Sequence, residues 1–295
     1  MPPIRQLWRN PGAWVVAVVL AIPAACAIDA KLALTEPQQW GLAAFAWLVL
    51  VSVVIELPRE RRLVVLCFLP MITAAEFLLS HQQGWYAYRL DNIPPWIPPA
   101  HGIVFLTALC AVEARRVPTV VLAWTAAGVQ AAYCLLNLLL RGDELGAALG
   151  AVYLVGMVVL PADGKRFYAG LGLVVAYLEI VGSSLGTWAW APEIHGLATT
   201  NPPSGAIGGY AMVDGAAFVV AACVTWSAAR LPALTGLRRP SGAHARMRSP
   251  GAAADRPVAS GTPRRHPTEP SSSALPARSP HLPVITDATT WQPLE

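Results

Sequence analysis

Residues 160–210 read LPADGKRFYAGLGLVVAYLEIVGSSLGTWAWAPEIHGLATTNPPSGAIGGY, an apolar run interrupted by a single acid, Glu179, and closed by two tryptophans and a proline-rich loop. A carboxylate inside such a run is costly in hydrocarbon, so it faces a protein interior or a watery cavity and marks function. Counted as one helix to residue 190, the run places Glu179, Ser183, Gly186, Thr187 and Trp190 on one face, small, polar and aromatic, with aliphatic residues elsewhere.

The chain carries this pattern twice. A shift of 103 positions, the interval from Glu76 to Glu179, lays Leu57-Pro58 on Leu160-Pro161, Arg62 on Lys165, Ser80 on Ser183 and Trp85 on Trp188. One further residue in the second loop lays Pro98-Pro99-Ala100 on Pro202-Pro203-Ser204. Rare residues recurring at fixed spacing indicate an internal duplication, and duplicated membrane proteins place their sites between the halves.

The remaining chain fits that frame. Of 295 residues, 55% are hydrophobic and 13% charged, with a mean hydropathy of +0.48. Several runs approach the ~20 residues that cross a bilayer. The reading is an all-α, polytopic membrane helix bundle of about eight spans, at 12–28, 40–57, 63–80, 95–114, 117–140, 146–162, 167–190 and 206–231. Residues 1–116 and 117–231 form two parallel four-helix repeats, and 232–295 is a disordered tail rich in proline and arginine. Arg5, Arg9, Arg59, Arg61, Arg62, Arg115, Arg116, Lys165 and Arg166 fall on one side of these spans, and only Lys31, Arg89 and Arg141 on the other. By the positive-inside rule both termini are cytoplasmic, in a multi-pass protein of the plasma (inner) membrane. Ala25-Cys26-Ala27 could serve as a signal peptidase site, though an uncleaved first helix is favoured. The basic tail lacks the fold context of a nucleic-acid binder and reads as an orientation signal near lipid headgroups.

Trp40, Trp85, Tyr86, Tyr88, Trp96, Trp188 and Trp190 gather at the outer ends as an interfacial aromatic belt. Each glutamate lies nine residues from its tryptophan, about 13 Å deeper and near the midplane. Glu76 and Glu179 are therefore candidate catalytic residues, one acid and one ionised partner, if the halves bring them into one cavity. The alternative is helix packing, each glutamate bonded to Ser80 or Ser183 one turn on. Asp214 sits one turn after Tyr210 in the same outer half, and is expected to find Glu179, Tyr210 or water as partner. His101, Trp85, Ser183, Trp188 and Tyr210 are candidate substrate contacts. Gly182 and Gly186 form a G-x-x-x-G that permits close helix approach. His81, His101 and His195 lack metal-ligand spacing, the five cysteines make no C-x-x-C, and no cofactor is implied. Glu56 and Glu113 belong to ion pairs at the inner interface.

A membrane glutamate followed by a G-x-W-x-W or Tyr-x-Tyr pair and a proline-containing loop resembles the carotenoid-modifying polytopic proteins, carotenoid hydratases and repeat-built lycopene cyclases. Glu179, Gly182, Gly186, Trp188 and Trp190 carry the resemblance, echoed by Glu76, Trp85, Tyr86 and Tyr88. It implies acid/base chemistry on an isoprenoid or other lipid. The competing readings are a proton-coupled transporter and a non-catalytic membrane protein. The partners expected are membrane lipids and a hydrophobic small molecule. Oligomeric state is open.

Overall fold

A computed structural model describes residues 9–32, 35–113 and 117–234. The expected tail from residue 235 on, and the arginines at 5, 115 and 116, lie outside the described residues, while residues 232–234, expected in the tail, end the last helix. Among those described, eight α-helices carry the fold and six of them are long and apolar enough to cross a membrane. Helix α1 (Pro11–Lys31) starts where Asn10 Oδ1 accepts from Ala13 N at 3.2 Å, with proline in the first turn. Helix α2 (Glu36–Val54) opens on a Thr35–Gln38 capping box. Helix α3 (Arg59–Glu76) continues into a π-helical segment, Phe77–Gln82.

Strand β1 (Tyr86–Tyr88) separates this segment from helix α4 (Ile97–Glu113). Helices α5 (Thr119–Arg141) and α6 (Glu144–Val159) meet at Gly142, whose φ of +69 suits glycine, followed by Asp143 as the cap of α6. Helix α7 (Ala162–Leu185) is stopped by Gly186 at φ +76. The expected span 167–190 is thus corrected. The helix ends at Leu185, and Trp188–Trp190 form strand β2, so Thr187 and Trp190 do not continue the helical face of Glu179. A short hairpin follows, β3 (Glu193–Ile194) with β4 (Leu197–Ala198), before helix α8 (Ile207–Leu234).

Helices α4 and α7 pack on each other at the centre. Helix α3 packs on α8, α1 lies across α4 and α7, α2 rests on α4, and α6 joins α5 to α8. An aromatic cluster fills the middle, with Phe105 at 4.7 Å from Phe68 and 5.2 Å from Phe167, centroid to centroid. Polar ties cross the core as well: Tyr177 Oη donates to Val19 O at 3.2 Å and Thr187 Oγ1 to Cys26 O at 3.3 Å. Helices α4 and α6 are too short to count among the six long spans; their apolar stretches are Ile97–Cys110 and Glu144–Val159. At one end of the bundle, Arg9 pairs with Glu56 and Arg61 with Glu113. The strands lie at the other end.

Candidate functional site

The two glutamates hang from the ends of equivalent-looking elements and are met there by a small sheet. Strands β1 and β2 pair antiparallel with Tyr86 opposite Trp190, Ala87 opposite Ala189 and Tyr88 opposite Trp188. Exchanging the strands maps this register onto itself. Because side chains alternate along a strand, the four large rings share one face and the two alanines share the other. The rings turn inward onto the carboxylates.

Glu76 Oε2 accepts from Tyr86 Oη at 2.8 Å and from Tyr88 Oη at 2.7 Å, and its Oε1 lies 2.8 Å from His101 Nε2. Glu179 Oε2 accepts from Trp188 Nε1 at 3.0 Å and Trp190 Nε1 at 3.1 Å, and its Oε1 from Tyr210 Oη at 2.8 Å. Each carboxylate is about 5% exposed or less and each is held by three side chains, two from a strand and one from the first turn or so of the helix that follows. The two cradles touch through rings: Tyr86 lies 4.8 Å from Trp190, and His101 lies 5.4 Å from Tyr210. Burial first, and then the neighbouring Glu76, push the Tyr86 and Tyr88 phenols far up, so both remain protonated donors at any physiological pH.

Gly182 makes the second cradle possible. A Cβ there would collide with the ring of Trp188, which folds back over the last turn of α7 to reach Glu179. The G-x-x-x-G reading is corrected accordingly: Gly182 admits an indole, and Gly186 is the helix stop with open space around it. The gapless alignment of Trp85 with Trp188 also fails in detail. Tyr86 and Tyr88 do for Glu76 what Trp188 and Trp190 do for Glu179, and the π-helical segment takes up the extra residue between Glu76 and its strand. Trp85 Nε1 instead donates to His195 Nε2 at 3.3 Å.

Both glutamates line one cavity of about 740 Å³. Tyr86, Tyr88, His101, Tyr210 and four outer tryptophans, Trp85, Trp96, Trp188 and Trp190, line its head. Below them the walls are apolar, drawn chiefly from α1 and α2, and among the described residues no lysine, arginine or aspartate takes part. Helices α1 and α2 do not pack closely on one another, and Ala21, Ala24, Gly41 and Phe45 on the cavity wall are exposed on the bundle's flank. The cavity therefore opens sideways, toward the hydrocarbon of a membrane.

Asp214 is buried, its Oδ2 has no hydrogen-bond partner, and it does not line this cavity. Ser183 is likewise buried with an unpartnered Oγ and makes no bond to Glu179, nor does Ser80 hold Glu76. The expected belt is also corrected, since Tyr86, Tyr88 and Trp188 are buried ligands of the carboxylates rather than headgroup anchors. The alternation in YAY and WAW was the available signal. Two further buried acids, Asp29 and Asp143, escaped sequence reading; Asp29 Oδ1 accepts from Gln39 Nε2 at 2.8 Å, and Asp143 holds a loop. Asp143 Oδ2 accepts from Ser204 N at 2.7 Å and its Oδ1 from Thr200 N at 3.1 Å, pinning the NPPS loop, while Asn201 Oδ1 accepts from Trp190 N at 3.0 Å. Among the described residues no group of three histidine, cysteine or acidic side chains is placed to hold a metal. The apolar spans make this an integral membrane protein. Searches with protein-family models, curated proteins and solved structures give no match to the chain.

Proposed function

We propose that this membrane protein is an enzyme that protonates a carbon–carbon double bond of an uncharged isoprenoid or similar polyene lipid, leading to hydration or cyclisation. The observation that carries the reading is the pair of buried, triply held carboxylates at the head of an apolar cavity open to the membrane.

Indole N–H groups only donate. Glu179 Oε2 is therefore fixed as an acceptor by Trp188 and Trp190, and a proton carried by Glu179 sits on Oε1, against Tyr210. Glu179 is the acid. Its proton adds to the less substituted alkene carbon, the π electrons form the new C–H bond, and the neighbouring carbon becomes a cation. The faces of Tyr86, Trp188 and Trp190 stabilise that cation, as aromatic quadrupoles do, by about 1–2 kcal/mol each when desolvated. Glu76 has an imidazole at hand to take a compensating charge, and serves as stabiliser and base. It accepts the proton lost when water adds to the cation or when an internal double bond closes on it. Asp214 has no part in this step.

The resemblance to carotenoid hydratases and lycopene cyclases points the same way, as does a duplication of four helices whose strands pair symmetrically. In this reading all eight helices traverse the inner membrane and both termini face the cytoplasm, with the cradles in the outer half. A proton-coupled carrier would need water access from both ends, whereas the lining below the carboxylates is apolar and the exposed wall residues lie on the flank. Incubating the purified protein with linear polyenes tests the proposal. Glu179→Gln lowers product formation by about 10²–10⁴, the usual contribution of a positioned acid. Wild-type protein that gives no product, or a Glu179→Gln variant of undiminished rate, refutes it.

A further inference from the structure

We infer that Trp14 is the stop that sets how much of the substrate's chain fits beyond the reacting bond. The inference rests on the proposed polyene chemistry for its substrate class, but its evidence lies at the opposite end of the cavity. Along α1 the wall runs from Ile28 near the strands to Trp14 in the second turn, and along α2 from Gln38 to Val49. Between those limits the wall is apolar and includes small residues on both sides, Ala17, Ala21, Ala24 and Ala25 on α1 and Gly41 and Ala46 on α2, beside the larger Val18, Ile22, Leu42 and Phe45.

Trp14 closes this channel. Its side chain is 2% exposed, and its Nε1 donates to Thr107 Oγ1 on α4 at 3.0 Å. Thr107 Oγ1 in turn donates to Ile103 O at 2.8 Å, so the indole is held against α4. Trp14 precedes Cys26, whose carbonyl meets Thr187 beside the indole cradle, by twelve residues of α1, about 18 Å at 1.5 Å per residue. Among the described residues no cationic group lines the intervening wall, so none of them there would hold a phosphate or carboxylate head. The chemistry that fits is a linear hydrocarbon tail, entering sideways between α1 and α2, with its terminal double bond at Glu76 and Glu179 and its interior carbons against alanine. A longer chain must bend out of the cleft at the indole.

The test uses the full-length protein in detergent, a series of linear all-trans polyprene hydrocarbons of increasing length, native mass spectrometry for the bound chain, and product formation in parallel. Wild type retains one length best. Trp14→Ala moves that optimum to a longer chain, raising retention of the next member about tenfold, equivalent to about 1.4 kcal/mol. Ala21→Phe, a substitution at an exposed wall position that leaves the core intact, moves it to a shorter one. Trp14→Phe keeps a ring in place and the optimum unchanged. An identical length profile in wild type, Trp14→Ala and Ala21→Phe overturns the inference even if product forms, and failure of the wild type to retain any member also overturns it. Shifted binding profiles without product in any variant uphold the stop and overturn the chemistry.

Discussion

Two indole N–H groups on one carboxylate oxygen make Glu179 chemically one-sided, and among the described residues Tyr210 is the hydrogen-bond partner on the other oxygen. Tyr210→Phe removes that partner without a change of shape. Product formation should fall by about 10–100-fold while thermal unfolding shifts by no more than the ~1.5–3 kcal/mol of a lost bond to a charged group. Unchanged kinetics would show that the phenol is only packing. Asp143 gives a second test at this scale. Burial pushes its carboxyl up, but the bonds from Ser204 and Thr200 outweigh burial and hold it below the usual aspartate value. A depressed folded value means stability that is present above the unfolded value of ~3.9 and lost as pH falls through the lower, folded one. Tryptophan fluorescence should thus report release of the NPPS loop only below about pH 4, and Asp143→Asn should destabilise the protein at neutral pH by about 1–3 kcal/mol. Glu76, Glu179, His101 and Tyr210 were legible in the sequence because polar groups are conspicuous in apolar runs. The partners Tyr86, Tyr88 and Trp190 were read as belt residues, since a sequence does not say whether an interfacial ring faces lipid or folds inward.

At the scale of elements, the decisive event is the end of α7 at Leu185 and the reversal of the chain that lets Trp188 lie over Gly182. Gly182→Val should cost about 1–3 kcal/mol in thermal unfolding, as overpacking does, and should displace the indole from Glu179. Gly186→Ala, at φ +76 with open space around it, meets only backbone strain and should cost about 1 kcal/mol with activity retained. Equal losses of activity in both would contradict the specific role of Gly182. All eight helices were foreseeable from apolar length and the positions of the basic and Pro-Pro segments, with ends displaced by a few residues. The strands were not. Three residues of Y-A-Y or W-A-W at the end of a long apolar run carry too little period-two signal to outweigh helical continuation, and after the π-helical segment Tyr86 stands ten residues from Glu76 where Trp188 stands nine from Glu179, an offset that a gapless alignment misses.

For the whole molecule, the claim is that a membrane-facing cleft leads to paired acids at one end of a helix bundle. Cysteine introduced at Ala24 or Gly41, on the open flank of that cleft, and blocked with a bulky maleimide should abolish turnover of a polyene added in lipid. The same label at Leu139, exposed on α5 away from the cavity wall, should leave it intact. The lateral opening itself was beyond sequence reading, because the failure of α1 and α2 to pack on each other is a property of the assembled bundle. The most direct measurement is the origin of the proton. Purified protein reconstituted in lipid and deuterated water, given a linear polyene, should yield product bearing one solvent deuterium at the carbon protonated, with about 10²–10⁴-fold less formed by Glu179→Gln and little by Glu76→Gln. Product without solvent deuterium, or the same labelling in Glu179→Gln as in wild type, would contradict the account.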